Sequence, residues 1–230
     1  MLFRSALWTW LLWEILVQAL HTLFPRWLLH RIPRQPNAAE RLSLRLYSNL
    51  AHGCWYCRDL MICLWSHLRG LNLAECYQPS AELANAYAEH APAMTLLSYF
   101  SRATRYAERS HALRVAIGDL WGQGHSLHYH GVVLYAASRF EECIARCREA
   151  VRLLERTGDY WQVHIARYQI AASLYHLGDL AGALEEAQIN HLSGLELGDE
   201  QASAINLDLW ARTVPQGVPQ EILSREREGG

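Results

Sequence analysis

Apolar residues recur three and four positions apart along almost the whole chain, with Ala and Leu the dominant side chains and few alternating stretches. That spacing matches helices burying one face, because side chains three and four apart lie on the same side of a 3.6-residue turn. Pro25, Pro33, Pro36, Pro79, Pro215 and Pro219 fall at the edges of periodic segments, where a residue without an N–H cannot extend a helix. Pro92 is the exception. It lies inside a periodic run and predicts a helix kinked or broken there. The pattern as a whole predicts an all-α protein.

The helices are organised by a period. Gly-Asp occurs at Gly118–Asp119, Gly158–Asp159 and Gly198–Asp199, a spacing of 40. Phe100, Phe140 and Leu180 keep the same register, as do Ala103, Cys143 and Ala183, and Ala107, Cys147 and Ala187. A weaker upstream copy has Leu60, Cys63 and His67 in those slots and Gln78–Pro79 in place of Gly-Asp. Each unit divides into two helices. In the third copy "GHSLHYHGVVLYAAS" is the first and "RFEECIARCREAVRLLERTGD" a short turn and the second. The turn falls at Ser138–Arg139 there and at Gly178–Asp179 in the fourth, where Gly suits a left-handed helix end and Asp can cap the next helix. Neither helix can bury its apolar face alone, so neighbouring units must stack into a solenoid.

In its detail the unit resembles the tetratricopeptide repeat. The third copy offers Gly131, Leu134, Ser138, Phe140, Cys143, Cys147 and Ala150 at the positions of that motif. The fourth offers Ala171, Leu174, Gly178, Leu180, Ala183 and Ala187, then departs at Asn190. The second is poorer, with Ala91, Met94, Ser98, Phe100, Ala103, Ala107 and Ser110. The resemblance covers residues 41 to 199, in units of 40 where the family's usual unit is shorter, and "LYHLGDLAGALEEA" is among its most specific stretches. It implies a right-handed α-solenoid of about four antiparallel helix pairs. The whole chain also resembles helical-repeat regions of large bacterial signalling proteins, where such arrays follow an ATPase or kinase region. On that resemblance the chain is expected to be a module of a longer polypeptide.

Flanking segments complete the plan. Residues 1–35 read as a hydrophobic helix and linker; 36–212 as the array, with units at about 41–78, 81–118, 121–158 and 161–198 and a cap over 200–212; and 213–230 as a tail with a short helix. The stretch 5–24, "SALWTWLLWEILVQALHTLF", is apolar enough to raise a membrane span. Glu14, Gln18 and His21 form one polar stripe on it, and a carboxylate at the centre of a lone span costs about 2.5–3.5 kcal/mol. The preferred expectation is a helix covering the first repeat's core; the alternative is a membrane-anchored adaptor. Arg26, Arg31 and Arg34 outnumber Arg4, so either reading places the array in the cytoplasm.

Composition changes this picture mainly by exclusion. The 230 residues are 51% hydrophobic and 19% charged, enough to fill a core. Lys plus Arg is 21 against 23 for Asp plus Glu, a formal charge of −2 that lacks the basic excess phosphate neutralisation needs. No nucleic-acid partner is expected. With no cleavable signal peptide read, the six cysteines are expected to be reduced thiols. "CWYC" at 54–57, with Cys63 and His67, invites a zinc site or thiol-dependent enzyme as an alternative. Its spacing matches no standard finger, and Cys54 and Cys63 occupy small or apolar slots of the repeat, where a free cysteine behaves as a small hydrophobe. No glycine-rich phosphate loop, Ser/His/Asp constellation or acid–base carboxylate pair stands out. The expectation is therefore no enzyme and no cofactor or metal.

In the tetratricopeptide family the first helix of each unit lines a concave, partner-binding surface. Carried over by register, the resemblance implies Arg45, Ser48, His52, Trp55 and Tyr56 from the first copy and Asn85 from the second. His125, His128 and Tyr135 follow from the third, and Tyr168, Tyr175 and His176 from the fourth. Aromatic and imidazole groups with polar tips suit a recognition surface. The expected function is a protein–protein interaction scaffold or sensor module in signalling, with a peptide or helix on that face.

Overall fold

The computed structural model describes residues 2–57, 59–214 and 217–219, and the side chains of all of these except residues 2–5, 55 and 56. Among them are eleven α-helices and no strand: α1 (Leu2–Leu23), α2 (Pro25–Leu28), α3 (Ala38–Tyr56), α4 (Leu60–Ala74), α5 (Ala81–Thr95), α6 (Phe100–Ala116), α7 (Leu120–Ala136), α8 (Phe140–Thr157), α9 (Tyr160–His176), α10 (Leu180–Leu197) and α11 (Glu200–Thr213). Second helices of the repeat thus begin at 60, 100, 140 and 180, and first helices at 120, 160 and 200. The period of 40 read from Gly-Asp is the period of the helix starts. The short helix expected in the tail lies outside the described residues.

The turns show a finer period. Left-handed backbone occurs at Ser98, Gly118, Ser138, Gly158, Gly178 and Gly198, one residue in every twenty, with φ between 57° and 83°. Each closes a helix by the same pair of bonds. Gly118 N–H donates to the Val115 carbonyl at 3.1 Å and Asp119 N–H to the Arg114 carbonyl at 3.0 Å; the 138, 158, 178 and 198 turns repeat the pattern. This double bond to the last carbonyls needs one residue at positive φ, which glycine adopts without a Cβ penalty. The next residue then starts the following helix: Asp159, Asp179 and Asp199 accept from the N–H three residues on, at 2.9–3.2 Å. One dipeptide therefore ends one helix and caps the next.

Pro92 does not break α5, which continues three residues beyond it to Thr95. The helix ends within a turn, so little ladder is lost, and Thr95 Oγ1 donates to the Pro92 carbonyl at 2.6 Å.

Two compact units make up the chain, Met1–His90 with Arg109–Asp119 and Ala91–Glu108 with Leu120–Gly230. In the second, α7 packs on α8, α8 on α9, α9 on α10 and α10 on α11. Leu127, Leu134, Cys143, Cys147, Leu154, Ile170 and Ala183 are among its core residues. The alanine and cysteine slots of the register (Cys143, Cys147, Ala183 and Ala187) are wholly buried, because small side chains let α7 and α8, or α9 and α10, approach closely. At the tightest approach a methyl group on Gly131 would overlap the Cys147 sulfur. Gly131→Ala is expected to cost about 1–3 kcal/mol in urea unfolding followed by circular dichroism. Cys147→Ala, which removes that sulfur, should return much of the loss when the two are combined; additive costs would disprove the contact.

The departures from the repeat motif at its last slot have a shared geometry. Ser110 Oγ donates to the Ala84 carbonyl at 2.7 Å in the first unit, and Asn190 Nδ2 to the His164 carbonyl at 2.9 Å in the second. Donors and acceptors are each 80 residues apart, two periods of the repeat. A polar residue here holds a first-helix carbonyl of its own copy, which the alanine at 150 cannot do.

In the first unit α1 packs on α4, and α4 on α3. The sequence leads one to expect the apolar face of α1 to be buried. Instead its buried stripe is Leu7, Leu11, Glu14, Gln18 and His21, and most of its large apolar residues face outward. The reason is on α4 and the residue that caps it, which present Arg69, Asn72 and Glu75 at three-residue steps. Glu14 accepts from Asn72 Nδ2 at 2.8 Å and from Arg69 at 3.2 Å, and His21 Nδ1 meets Glu75 Oε2 at 2.7 Å. Asn72 Nδ2 also reaches the Glu14 carbonyl at 2.9 Å. Turning Leu and Trp against that stripe would break these hydrogen bonds and leave buried polar groups without their partners. No helix of the described residues is long and apolar enough to cross a membrane.

Candidate interaction surface

The first helices of the second unit bring together most of the aromatic residues chosen by register. Tyr135 on α7 and Tyr168 and Tyr175 on α9 pack around Ala171, Ala172, Ala187 and Leu209. All three are half-buried, so each ring lies on the apolar cluster and part of it reaches the surface. The Tyr135 hydroxyl lies 3.1 Å from Nε2 of the exposed His176. That imidazole stacks on Phe140, with centroids 4.8 Å apart and planes 11° from parallel. Tyr135 also meets Phe140 edge-on at 5.7 Å. The result is a connected patch of rings with fixed orientations rather than isolated aromatics.

α11 supplies the charge. Arg212 Nε donates to Asp208 Oδ1 at 2.9 Å, and both side chains are exposed. The bond to Asp208 raises the Arg212 guanidinium further above its usual value, and this permanent cation lies beside Tyr168 and Tyr175. Burial raises the Tyr135 and Tyr168 phenols above their usual value, so both retain their O–H as donors. Asp208 and Arg212 were not chosen from the sequence, yet a signal was present. Asp208 stands 40 residues after Tyr168 and 80 after His128, in the same register slot.

His125 and His128 sit differently. They are only 5% and 4% exposed and pack between helices instead of lining an open face. His125 stacks on Trp121 at 4.9 Å and contacts Tyr129. His128 Nδ1 lies 2.7 Å from Gln162 Oε1, so Nδ1 carries the proton and donates. Its Nε2 is enclosed with no hydrogen-bond partner. Burial pushes the His128 imidazole down to about 4, despite the opposing pull of Gln162 and Asp159. It is therefore neutral at pH 7. The motif "HSLHYH" catches the eye as a ligand cluster, but all three of its histidines are buried.

In the first unit, Arg45, Ser48 and Asn85 tie α3 to α5. Arg45 reaches Glu82 at 3.0 Å, Ser48 Oγ donates to Glu89 Oε1 at 2.6 Å, and Asn85 Nδ2 donates to the same oxygen at 2.8 Å. His52 is exposed and lies close enough to Glu89 to act on its charge. Burial raises the Glu89 carboxyl above its usual range, against the opposing hydrogen bonds of Ser48 and Asn85. The acidic partners Glu82 and Glu89 were not among the residues carried over by register. The side chains of Trp55 and Tyr56 lie outside those described.

The cysteine cluster takes on no single geometry. Cys54 and Cys63 are half-buried and Cys57 is exposed. His67 turns to His90 instead, Nε2 to Nδ1 at 3.0 Å with the rings stacked 9° from parallel. Its ring is desolvated although part of the residue reaches the surface, and burial pushes it down to about 4. Among the described residues no group of three or more His, Cys, Asp and Glu side chains is gathered so that it could hold a metal ion. Burial raises the Cys54 and Cys63 thiols, the opposite of what a reactive thiolate needs.

No protein-family model and no curated protein matches the chain.

Proposed function

We propose that the second unit is a tetratricopeptide-like interaction module that takes a peptide or amphipathic helix over the patch of Tyr135, Tyr168, Tyr175, His176 and Arg212. One observation carries the reading: three tyrosines from two successive repeats share one apolar cluster, with a cation beside them. Rings held by packing lose little entropy on binding, and tyrosine combines contact area with a polar tip. Apolar anchors of the partner would sit between the rings, and a carboxylate would pair with Arg212. Such a module serves as a scaffold or sensor within a signalling assembly and acts on no substrate of its own.

The test is selection of peptides on the full chain, followed by anisotropy titration of the best binder. Tyr168→Ala and Arg212→Glu should each weaken it about tenfold or more, as truncation of central aromatic and arginine anchors does. Helicity should be unchanged. Binders that ignore both substitutions, or that map to the first unit, would remove the patch as the site.

A further inference from the structure

The helix α1 is turned inside out. Its polar stripe is consumed by α4, and ten large apolar side chains between Trp8 and Trp27 are exposed. Trp13 is 60% exposed and Trp27, on α2, 82%. Contiguous apolar surface on this scale marks an interaction site. Rolling the helix to hide it would unpair Arg69, Asn72 and Glu75, so the outward face is held by the hydrogen bonds of the inward one.

We propose that α1 and α2 lie flat in the interfacial layer of an anionic lipid bilayer, apolar face inward, and hold the first unit on the membrane surface. Three observations select this occupant. The face is rich in aromatic residues, with Trp8, Trp10, Trp13, Phe24 and Trp27 exposed; tryptophan prefers the boundary between headgroups and acyl chains. Its charge is one-sided: Glu14 is the only acidic residue before Glu40, and it is buried, while Arg26 and Arg31 are exposed. Cations flanking an apolar face complement anionic headgroups. And the opposite side of α1 is held by protein, with Glu14 and His21 bonded to Arg69, Asn72 and Glu75, so the helix offers a bilayer its outer face alone. A second copy of this face fits less well, because it would bring no acidic group to Arg26 and Arg31.

The experiment is flotation of the full chain with vesicles of phosphatidylglycerol and phosphatidylcholine in equal parts, against vesicles of phosphatidylcholine alone. The chain should float with the anionic vesicles and much less with the neutral ones. Trp13→Glu with Leu16→Glu should abolish flotation while leaving helicity and unfolding unchanged. Arg26→Glu should weaken anionic binding about fivefold or more. Bromine-labelled acyl chains should quench the tryptophan emission of the unmodified chain, a readout needing no variant. Failure to float, flotation indifferent to Trp13→Glu with Leu16→Glu, or absence of quenching would each overturn the proposal. Concentration-dependent dimers lost in that double variant, without vesicle binding, would assign the face to a second copy instead.

Discussion

Replacing His21 with alanine is expected to destabilise the first unit by about 3–5 kcal/mol, while Trp13→Ala changes stability by less than about 0.5 kcal/mol. This inverts the usual rule that apolar residues hold a helix in place. The His21 and Glu75 side chains are 4% and 2% exposed and meet at 2.7 Å. Removing the imidazole leaves the buried Glu75 side chain without its 2.7 Å hydrogen-bond partner, and the cost is the desolvation of that polar group rather than the value of the lost bond. Trp13, by contrast, is mostly in water and gives up little when shortened. The double variant His21→Leu with Glu75→Leu should recover most of the loss, since exchanging both members of a buried pair for apolar groups is near neutral. Urea unfolding of the four proteins, followed by far-ultraviolet circular dichroism, reads all of this. A small effect of His21→Ala would mean that α1 is not docked through its polar stripe.

The second large effect is acid destabilisation through His128. Burial holds its imidazole at about 4 in the folded chain, against about 6.5 in an unfolded one. Below pH 6.5 the unfolded chain therefore binds a proton that the folded chain refuses, and stability falls as pH falls. The contribution is complete above pH 6.5 and gone below 4. A difference of about 2.5 pH units corresponds to about 3 kcal/mol over that window. Glu89 acts with the opposite sign: its raised carboxyl keeps a proton longer when folded, so its contribution fades as pH rises above the usual range. His67 adds to the His128 trend. For this reason the difference between the parent chain and His128→Gln is the quantity to follow, by urea unfolding between pH 7 and 4. The variant should show a slope about one proton smaller. Equal slopes would place His128 in contact with solvent.

Some of this protein is visible in its residue order alone. Gly-Asp at a spacing of 40 gave the helix boundaries, because a positive-φ residue followed by a capping carboxylate is a local requirement that neighbouring residues satisfy by themselves. Ser98 and Ser138 show the limit: they adopt the same left-handed turn without glycine, and only the register reveals it. Choosing first-helix positions also collected Tyr135, Tyr168 and Tyr175, since helical spacing decides which residues share a face. It did not separate them from His125 and His128, because register assigns a face and not a depth.

Helix positions, turn chemistry and the small residues between paired helices were determined by the sequence itself, since each depends on contacts within a few residues or within one repeat. The tertiary structure alone decided which side of α1 faces inward, which histidines lose their water, and that α11 brings Asp208 and Arg212 to the tyrosines. Those outcomes rest on partners 30 to 60 residues away, such as Glu75 for His21 or Gln162 for His128. An amphipathic pattern states that a helix has two faces; which one is buried depends on the polarity of the surface it meets.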